Sequence, residues 1–170
     1  KMQKKQDRTY HIHVKITEKK YKEIAYLAID LGLRNDSKAE FLRLAADADV
    51  LIESFDPGYM KSIGLDYAAM KALNPALIYV SITPFGQTGP FAIDPATDLT
   101  IEAACGLINL QGDGDRPPLP VGFPQAAFHA GLVAAADTVI ALNERQHSGL
   151  GQQLDVSMQT AMMLTLMNAQ

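Results

Sequence analysis

From residue 10 the chain alternates between apolar and polar positions. In "YHIHVKIT" the apolar Tyr10, Ile12, Val14 and Ile16 are interleaved with His11, His13 and Lys15, the period-2 signature of a strand with one buried face. Thr17 is a good N-cap for a helix, because Tyr21, Ile24, Ala25, Ala28 and Leu31 recur at helical spacing until Gly32 ends it. Ser37 and Glu40 form a capping box for a second helix carrying Phe41, Leu42 and Ala45. Beyond Ala46 the pattern changes. Two apolar runs, "DVLIESF" and "NPALIYVSITPFG", flank a helical segment around "DYAAMKAL". Strand, helix and strand, with both strands apolar, predict a parallel sheet with helices on its faces, an α/β architecture whose ligands sit at the C-terminal ends of the strands. Further along, the pattern predicts a helix through "DLTIEAACG", a turn at "QGDGDRPP" and a long apolar helix from about Gln125 to Arg145. A strand after "SGLG" and a helix "TAMMLTLMNA" come next, and the Met run of that helix is read as core.

Composition is that of a globular chain: 170 residues, 48% apolar and 20% charged. Apolar runs such as "GLVAAAD" and "TAMMLTLM" fall short of the roughly 20 residues that cross a bilayer, and no signal-peptide core opens the chain, so a cytoplasmic location without membrane partners is expected. The lone Cys105 has no disulfide partner within the chain and reads as a small buried hydrophobe. Charge is unevenly spread. Residues 1–24 hold eight of the fifteen Lys and Arg against three acids, a net of +5, which leaves −9 for the remainder. Two units are expected: a basic strand-helix-helix segment, residues 1–45, and an acidic domain, residues 46–170. Residues 10–45 resemble a ribbon-helix-helix module. In that fold two chains pair their strands into a ribbon that enters the DNA major groove, so the resemblance implies DNA as a partner, met by His11, His13 and Lys15. The alternative is a solvated basic amphipathic segment packed on the rest.

The residues of the acidic part go further than their periodicity. "ADADVLIESFDPGYMKSIGLDYAAMKALNPALIYVSITPFGQTGP", "TDLTIEAACGLINLQGD", "PPLPVGFP" and "ERQHSGLGQQLDVSMQTA" occur in the order and spacing of the class III CoA-transferases, and residues 46–161 resemble that family. It includes the formyl-CoA and carnitine CoA-transferases and α-methylacyl-CoA racemase. The resemblance implies a partial Rossmann-like parallel sheet with C-terminal helices, a homodimer or a hetero-oligomer with an unlike subunit, and acyl-CoA as substrate, with no metal. It also implies that CoA is bordered by Ser54, Phe55, Tyr59, Lys61, Ser62 and Ile63. The family often carries a basic residue where this chain has Asp56 and Ser62, which leaves Lys61 as the nearby cation. The family's opening strand and helix are replaced here by the basic segment, and its second half is absent, so the chain is expected to be truncated, with an unpaired sheet edge.

The family's chemistry runs through an aspartate whose carboxylate attacks the acyl-CoA thioester, releasing CoA and leaving a mixed anhydride. That aspartate lies five residues after the glycine of a "VG" pair and four before another glycine. In "VGFPQAAFHAG", Gly122 and Gly131 keep this frame and Ala127 occupies the aspartate's place. No catalytic residue is therefore assigned. Asp98 and His129 are weak candidates, and Asp137, ten residues beyond Ala127, is about 15 Å along the helix. The racemase branch uses the His of an "HD" pair together with an Asp in the later stretch as two bases; here Thr97 stands in the histidine's place and the later Asp is again absent. Asp98 and Glu102, four apart on one helix face, flank a substrate pocket or are solvated surface acids. The expectation is a CoA-transferase that lacks its own nucleophile; the alternative is a DNA-binding protein fused to a transferase remnant.

Overall fold

The computed structural model describes residues 13–16, 35–111, 114, 115 and 117–166. The expected helix over residues 17–31 and the strand positions Tyr10 to Ile12 lie outside them. The elements run β1 (His13–Ile16), α1 (Asn35–Asp47), β2 (Ala48–Glu53), α2 (Tyr59–Ser62), α3 (Tyr67–Leu73), β3 (Ile78–Thr83), α4 (Asp98–Cys105), a 3-10 turn (Ile108–Leu110), α5 (Gln125–Ser148), β4 (Gln153–Ser157) and α6 (Met158–Thr165). One four-stranded sheet has the order β1-β2-β3-β4; β2, β3 and β4 are parallel, and β1 pairs antiparallel with β2, His13 opposite Ile52 and Lys15 opposite Val50.

The parallel strands form where the apolar runs predicted them. β3 shows why: Ile78 and Val80 turn toward α5 and β4 side chains, whereas Tyr79 joins a cluster with Leu51, Phe41 and Met70 on the other face. Both faces are covered, so the strand has no polar alternation to display. Three expectations are corrected. The edge of β2 is not left open, because β1 occupies it; backbone N–H and C=O groups at a sheet edge find a partner there. The same pairing gives the strand of the basic segment a place in this chain's sheet rather than in a ribbon for DNA. Residue 37 falls two residues inside α1 rather than at its cap, since the helix begins at Asn35.

Three ties fix the layers. Asn74, closing α3, donates its side-chain amide to Ala45 O at 3.3 Å and Ala48 O at 2.9 Å. Arg145, in the last turn of α5, reaches Ala76 O at 3.0 Å and pairs with Asp49 at 2.8 Å. Gly151 donates to Pro75 O, and a Cβ there would lie 2.0 Å from Leu77 O, so only glycine lets β4 approach β3. α5 buries Ala126, Ala130, Ala134 and Ala141. Among the described residues it is the one helix long and apolar enough to cross a membrane, although its alanine face packs on the sheet. The Met run of α6 is split: Met162 is core, whereas Met163 is 52% exposed.

Candidate functional site

Two places gather polar side chains. At the C-terminal end of β2, Glu53 stands in register with Ser81 of β3, and Ser81 with Asp155 of β4, a polar row across three parallel strands. Glu53 is buried and accepts the N–H of Phe55 at 2.8 Å. Burial pushes its carboxyl above the ordinary range; hydrogen bonds from Ser81 and Phe55 oppose the shift, and the charge of Asp155 adds to it. Asp155 accepts the N–H of Gln87 at 3.0 Å, which holds the loop after β3 over the strand ends. A cavity of about 370 Å³ opens here, walled by Glu53, Ser81, Tyr79, Asp56, Asp66 and Lys61 among others. The Tyr79 hydroxyl donates to Leu65 O at 3.3 Å; burial, then the charges of Glu53 and Asp66, push its ionisation well above the phenol range.

Of the six residues expected to border CoA, Lys61 alone is in the wall of this cavity, and the six divide by burial. Phe55 is buried, its ring 4.9 Å from the half-buried Tyr59, and both pack with Ile63 on the core under α2. Ser54, Lys61 and Ser62 are exposed. Ser62 donates its hydroxyl to Tyr59 O at 2.7 Å, and Lys61 forms part of the cavity wall. Sequence reasoning passed over the polar row, although an acid in "LIESF" and a serine in "YVSIT" interrupt otherwise apolar strands.

The second place is the corner between α4 and α5. Pro124 precedes α5 and has no side-chain acceptor to cap it. Asp98, 27 residues earlier, does so instead: its two oxygens accept Gln125 N–H at 3.0 Å and Ala126 N–H at 2.9 Å. Thr97, at the racemase histidine's place, caps α4 by accepting Thr100 N–H. Glu102, 1% exposed, accepts Val121 N–H at 3.3 Å. Its carboxyl is pushed above the ordinary range, first by burial and then by a hydrogen bond and charge from Asp98, with the Val121 N–H opposing. An open depression of about 380 Å³ lies over both acids, rimmed by Leu99, Val121 and Phe123.

Ala127 is exposed in the first turn of α5. Both weak candidates have backbone partners. Asp98 spends both oxygens on backbone, and His129 is half-buried with Nδ1 2.8 Å from Gln125 O. Two residues along a helix lie nearly opposite, so His129 does not share the side of Ala127. The paired acids are not solvated surface groups either, since Glu102 is buried under the loop that it holds. Cys105 is buried and donates to Glu102 O at 3.2 Å. Among the described residues, no cluster of three or more His, Cys, Asp or Glu is placed to hold a metal.

Comparison with known proteins gives this geometry a family. Residues 25–170 match CoA-transferase family III, a match that begins well before residue 46 and takes in much of the basic segment's second half. The chain is 42% identical over 145 residues to succinyl-CoA:(R)-benzylsuccinate CoA-transferase subunit BbsE of Thauera aromatica, covering 84% of this chain and 34% of that protein. It is 38% identical over 133 residues to acetyl-CoA:oxalate CoA-transferase of Acetobacter aceti, 77% of this chain and 34% of that one. A solved CAIB/BAIF family protein from Brucella suis superposes with a TM-score of 0.77 at 38% identity, over 79% of this chain and 36% of the other. The chain thus spans about a third of the length of these relatives. None of these likenesses supports the DNA-binding reading of residues 10–45.

Proposed function

The chain belongs to CoA-transferase family III, and from that premise we propose that it is the CoA-holding part of an enzyme that moves CoA between carboxylic acids, with the reacting carboxylate brought by another family chain. The observation that carries this is the contrast at one frame: Gly122, Gly131 and the Asp98 cap of α5 are all in place, and the nucleophile's position is Ala127. A methyl group cannot form an acyl anhydride. The relative from Thauera is itself named as a subunit, which supports an assembly of more than one chain.

In this reading the acyl-CoA substrate meets the chain at the strand-end cavity. Lys61, in the cavity wall, offers the cation for phosphate, and the half-buried Tyr59 and Ile63 and the exposed Ser54 are the family positions left to meet the nucleotide, since Phe55 is buried and the Ser62 hydroxyl is engaged by Tyr59 O. The lining fits a thioester arm better than a triphosphate-like charge, because Asp56, Asp66 and Glu53 outnumber Lys61 in the walls. At the catalytic place the partner's carboxylate would attack the thioester carbonyl and the C–S bond breaks, giving a mixed anhydride and CoA thiolate. The thiolate attacks the enzyme carbonyl of the anhydride and releases the donor acid. The incoming carboxylate then attacks the resulting enzyme thioester, frees the thiolate again and takes it at its own carbonyl, which restores the partner's carboxylate. The unpaired Cys105 thiol supports a cytoplasmic setting for this chemistry.

Trapping tests the reading. Incubated with acyl-CoA and then borohydride or hydroxylamine, the wild-type chain stays unmodified, whereas Ala127→Asp becomes labelled when a family partner completes the site. Labelling of the wild-type chain alone, mapped to Asp98, Glu102 or Asp137, would overturn it.

A further inference from the structure

Two carboxyls hold the loops at the mouth of the strand-end cavity. Glu53 accepts Phe55 N–H at 2.8 Å, which sets the turn leading to α2 and Lys61. Asp155 accepts Gln87 N–H at 3.0 Å, and Gly86, at a φ of 91°, turns the loop after β3 back onto it. The two differ in burial: Asp155 is exposed, whereas Glu53 is 4% exposed and still lines the cavity. The charges facing Glu53 are mostly of its own sign. Asp56 stands in the turn, Asp66 before α3 and Asp155 on β4, against Lys61 of α2. Tyr67 of α3 and Tyr79 of β3 complete the titratable wall, and β1 pairs His13 with Ile52 rather than with Glu53. Among the described residues no salt bridge reaches Glu53, so hydrogen bonds from Ser81 and Phe55 are what its charged form has.

We propose that Glu53 is a proton-bearing positioning residue of this cavity: with its proton it holds the turn and leaves the wall open to an anionic ligand, and without it the same carboxyl repels that ligand. The assignment rests on the reading of the cavity as the seat of acyl-CoA and gives that seat a dependence on pH. A phosphate near Lys61 already meets Asp56 and Asp66. Ionised Glu53 adds a third charge of the same sign from a buried part of the wall, where water screens less than it does at the exposed Asp56. Burial, and then the charge of Asp155, favour the uncharged form, so the repulsion is absent until the pH passes above the ordinary carboxylate range. Tyr79, pushed well above the phenol range, stays uncharged throughout. Linkage fixes the sign. An anion that binds the protonated form better strengthens the carboxyl's hold on its proton, so CoA binding takes up protons, and CoA affinity falls as pH rises through the ionisation of Glu53.

Calorimetry of the full chain with CoA and with pantetheine, from about pH 5 to about pH 9 at fixed ionic strength, tests this, with buffers of different ionisation enthalpy to count protons. Glu53→Gln keeps an acceptor for Phe55 N–H and cannot ionise. Wild type and variant are expected to bind CoA alike at the acidic end and to separate as pH rises, wild type becoming weaker by about 3- to 10-fold, the scale of one partly screened charge. Wild type also takes up more protons per CoA bound than the variant does. The phosphates of CoA titrate in both proteins and cancel in the comparison. Pantetheine, which lacks them, is expected to give one pH profile with both proteins. A second variant, Ser81→Ala, removes a hydrogen bond that favours the ionised form and is expected to move the fall in CoA affinity to higher pH. CoA profiles that coincide in wild type, Glu53→Gln and Ser81→Ala overturn the proposal and leave CoA seated in the cavity. A difference that pantetheine shares equally overturns it too, because the turn at Phe55 has then moved and no charge is being read. CoA that binds none of the three proteins at any pH removes the reading of the cavity and the proposal with it.

Discussion

The strand-end cavity and the α4–α5 corner each contain a buried glutamate, and the two glutamates do different jobs. Glu53 ends a strand and faces a cavity with Ser81 and Asp155 in line beside it, so its carboxyl borders space that a ligand can enter. Glu102 turns inward under a loop and, with Asp98, spends its oxygens on the backbone N–H groups of Val121, Gln125 and Ala126. The first region lines open space with polar groups, although Glu53 and Asp155 also hold the backbone at Phe55 and Gln87. The second uses its polar groups to place the start of the helix that carries Ala127. The corner is held by residues other than Ala127, so a methyl group there leaves the contacts of Asp98 and Glu102 in place.

Both regions hang on the approach of β4 to β3, and the largest effect comes from breaking it. Gly151→Ala puts a methyl group against Leu77 O, and backbone cannot yield as a flexible side chain would. A loss of about 3 kcal/mol or more, or failure to fold, is expected in urea unfolding, with both regions affected together. Next in size is Asp98→Ala, which orphans two helix N-terminal N–H groups and is expected to cost about 1–2 kcal/mol, with Asp98→Asn recovering part. Ser54→Ala in the other region is expected to change stability by less than about 0.5 kcal/mol. Equal losses in the two variants would erase the contrast between a structural corner and an available cavity.

How far the sequence led follows the same division. β2, α3, β3, α4, α5 and β4 are found where apolar periodicity and caps put them, because each signal is local. The four-residue α2 carries no periodic signal and is not foreseeable from the pattern. The strand at His13–Ile16 is legible as a strand, but its partner is not: an antiparallel seat beside β2 depends on residues some 35 positions away. The same limit hides the roles of two site residues. Asp98 and Glu102 are visible as a pair four apart, yet nothing local says that the loop at 121–124 folds over them and turns surface acids into a cap and a buried grip.

Acidity separates the regions by a smaller amount. For both Glu53 and Glu102 the folded carboxyl ionises above its unfolded value, chiefly through burial. The folded state then holds more protons than the unfolded state over the interval between the two values, so stability falls as pH rises through it and is greatest below the ordinary carboxylate range. Glu102→Gln keeps an acceptor for Val121 N–H and removes one ionisation; its unfolding free energy is expected to decline less between acidic and neutral pH than that of wild type. An unchanged slope in both Glu102→Gln and Glu53→Gln would mean that neither carboxyl is held protonated by its surroundings.

The smallest effect is the one that tests availability most directly. Lys61 is exposed in the cavity wall, and Ser62 is exposed beside it. An exposed lysine is worth little to the fold, so Lys61→Ala is expected to leave unfolding within about 0.5 kcal/mol of wild type. If the cavity takes acyl-CoA with its phosphates toward Lys61, the same change weakens CoA binding by about 2- to 5-fold at low salt, the scale of one solvent-screened charge contact. Pantetheine, which lacks the phosphates, should not register it. Asp56→Lys works in the opposite direction, removing an acid from the wall and restoring the family's sign, and is expected to tighten CoA by a similar factor while leaving pantetheine unchanged. Calorimetry with both ligands separates the cases: CoA binding that ignores both substitutions puts the phosphates elsewhere, and pantetheine binding that follows them shows a change in cavity shape rather than charge.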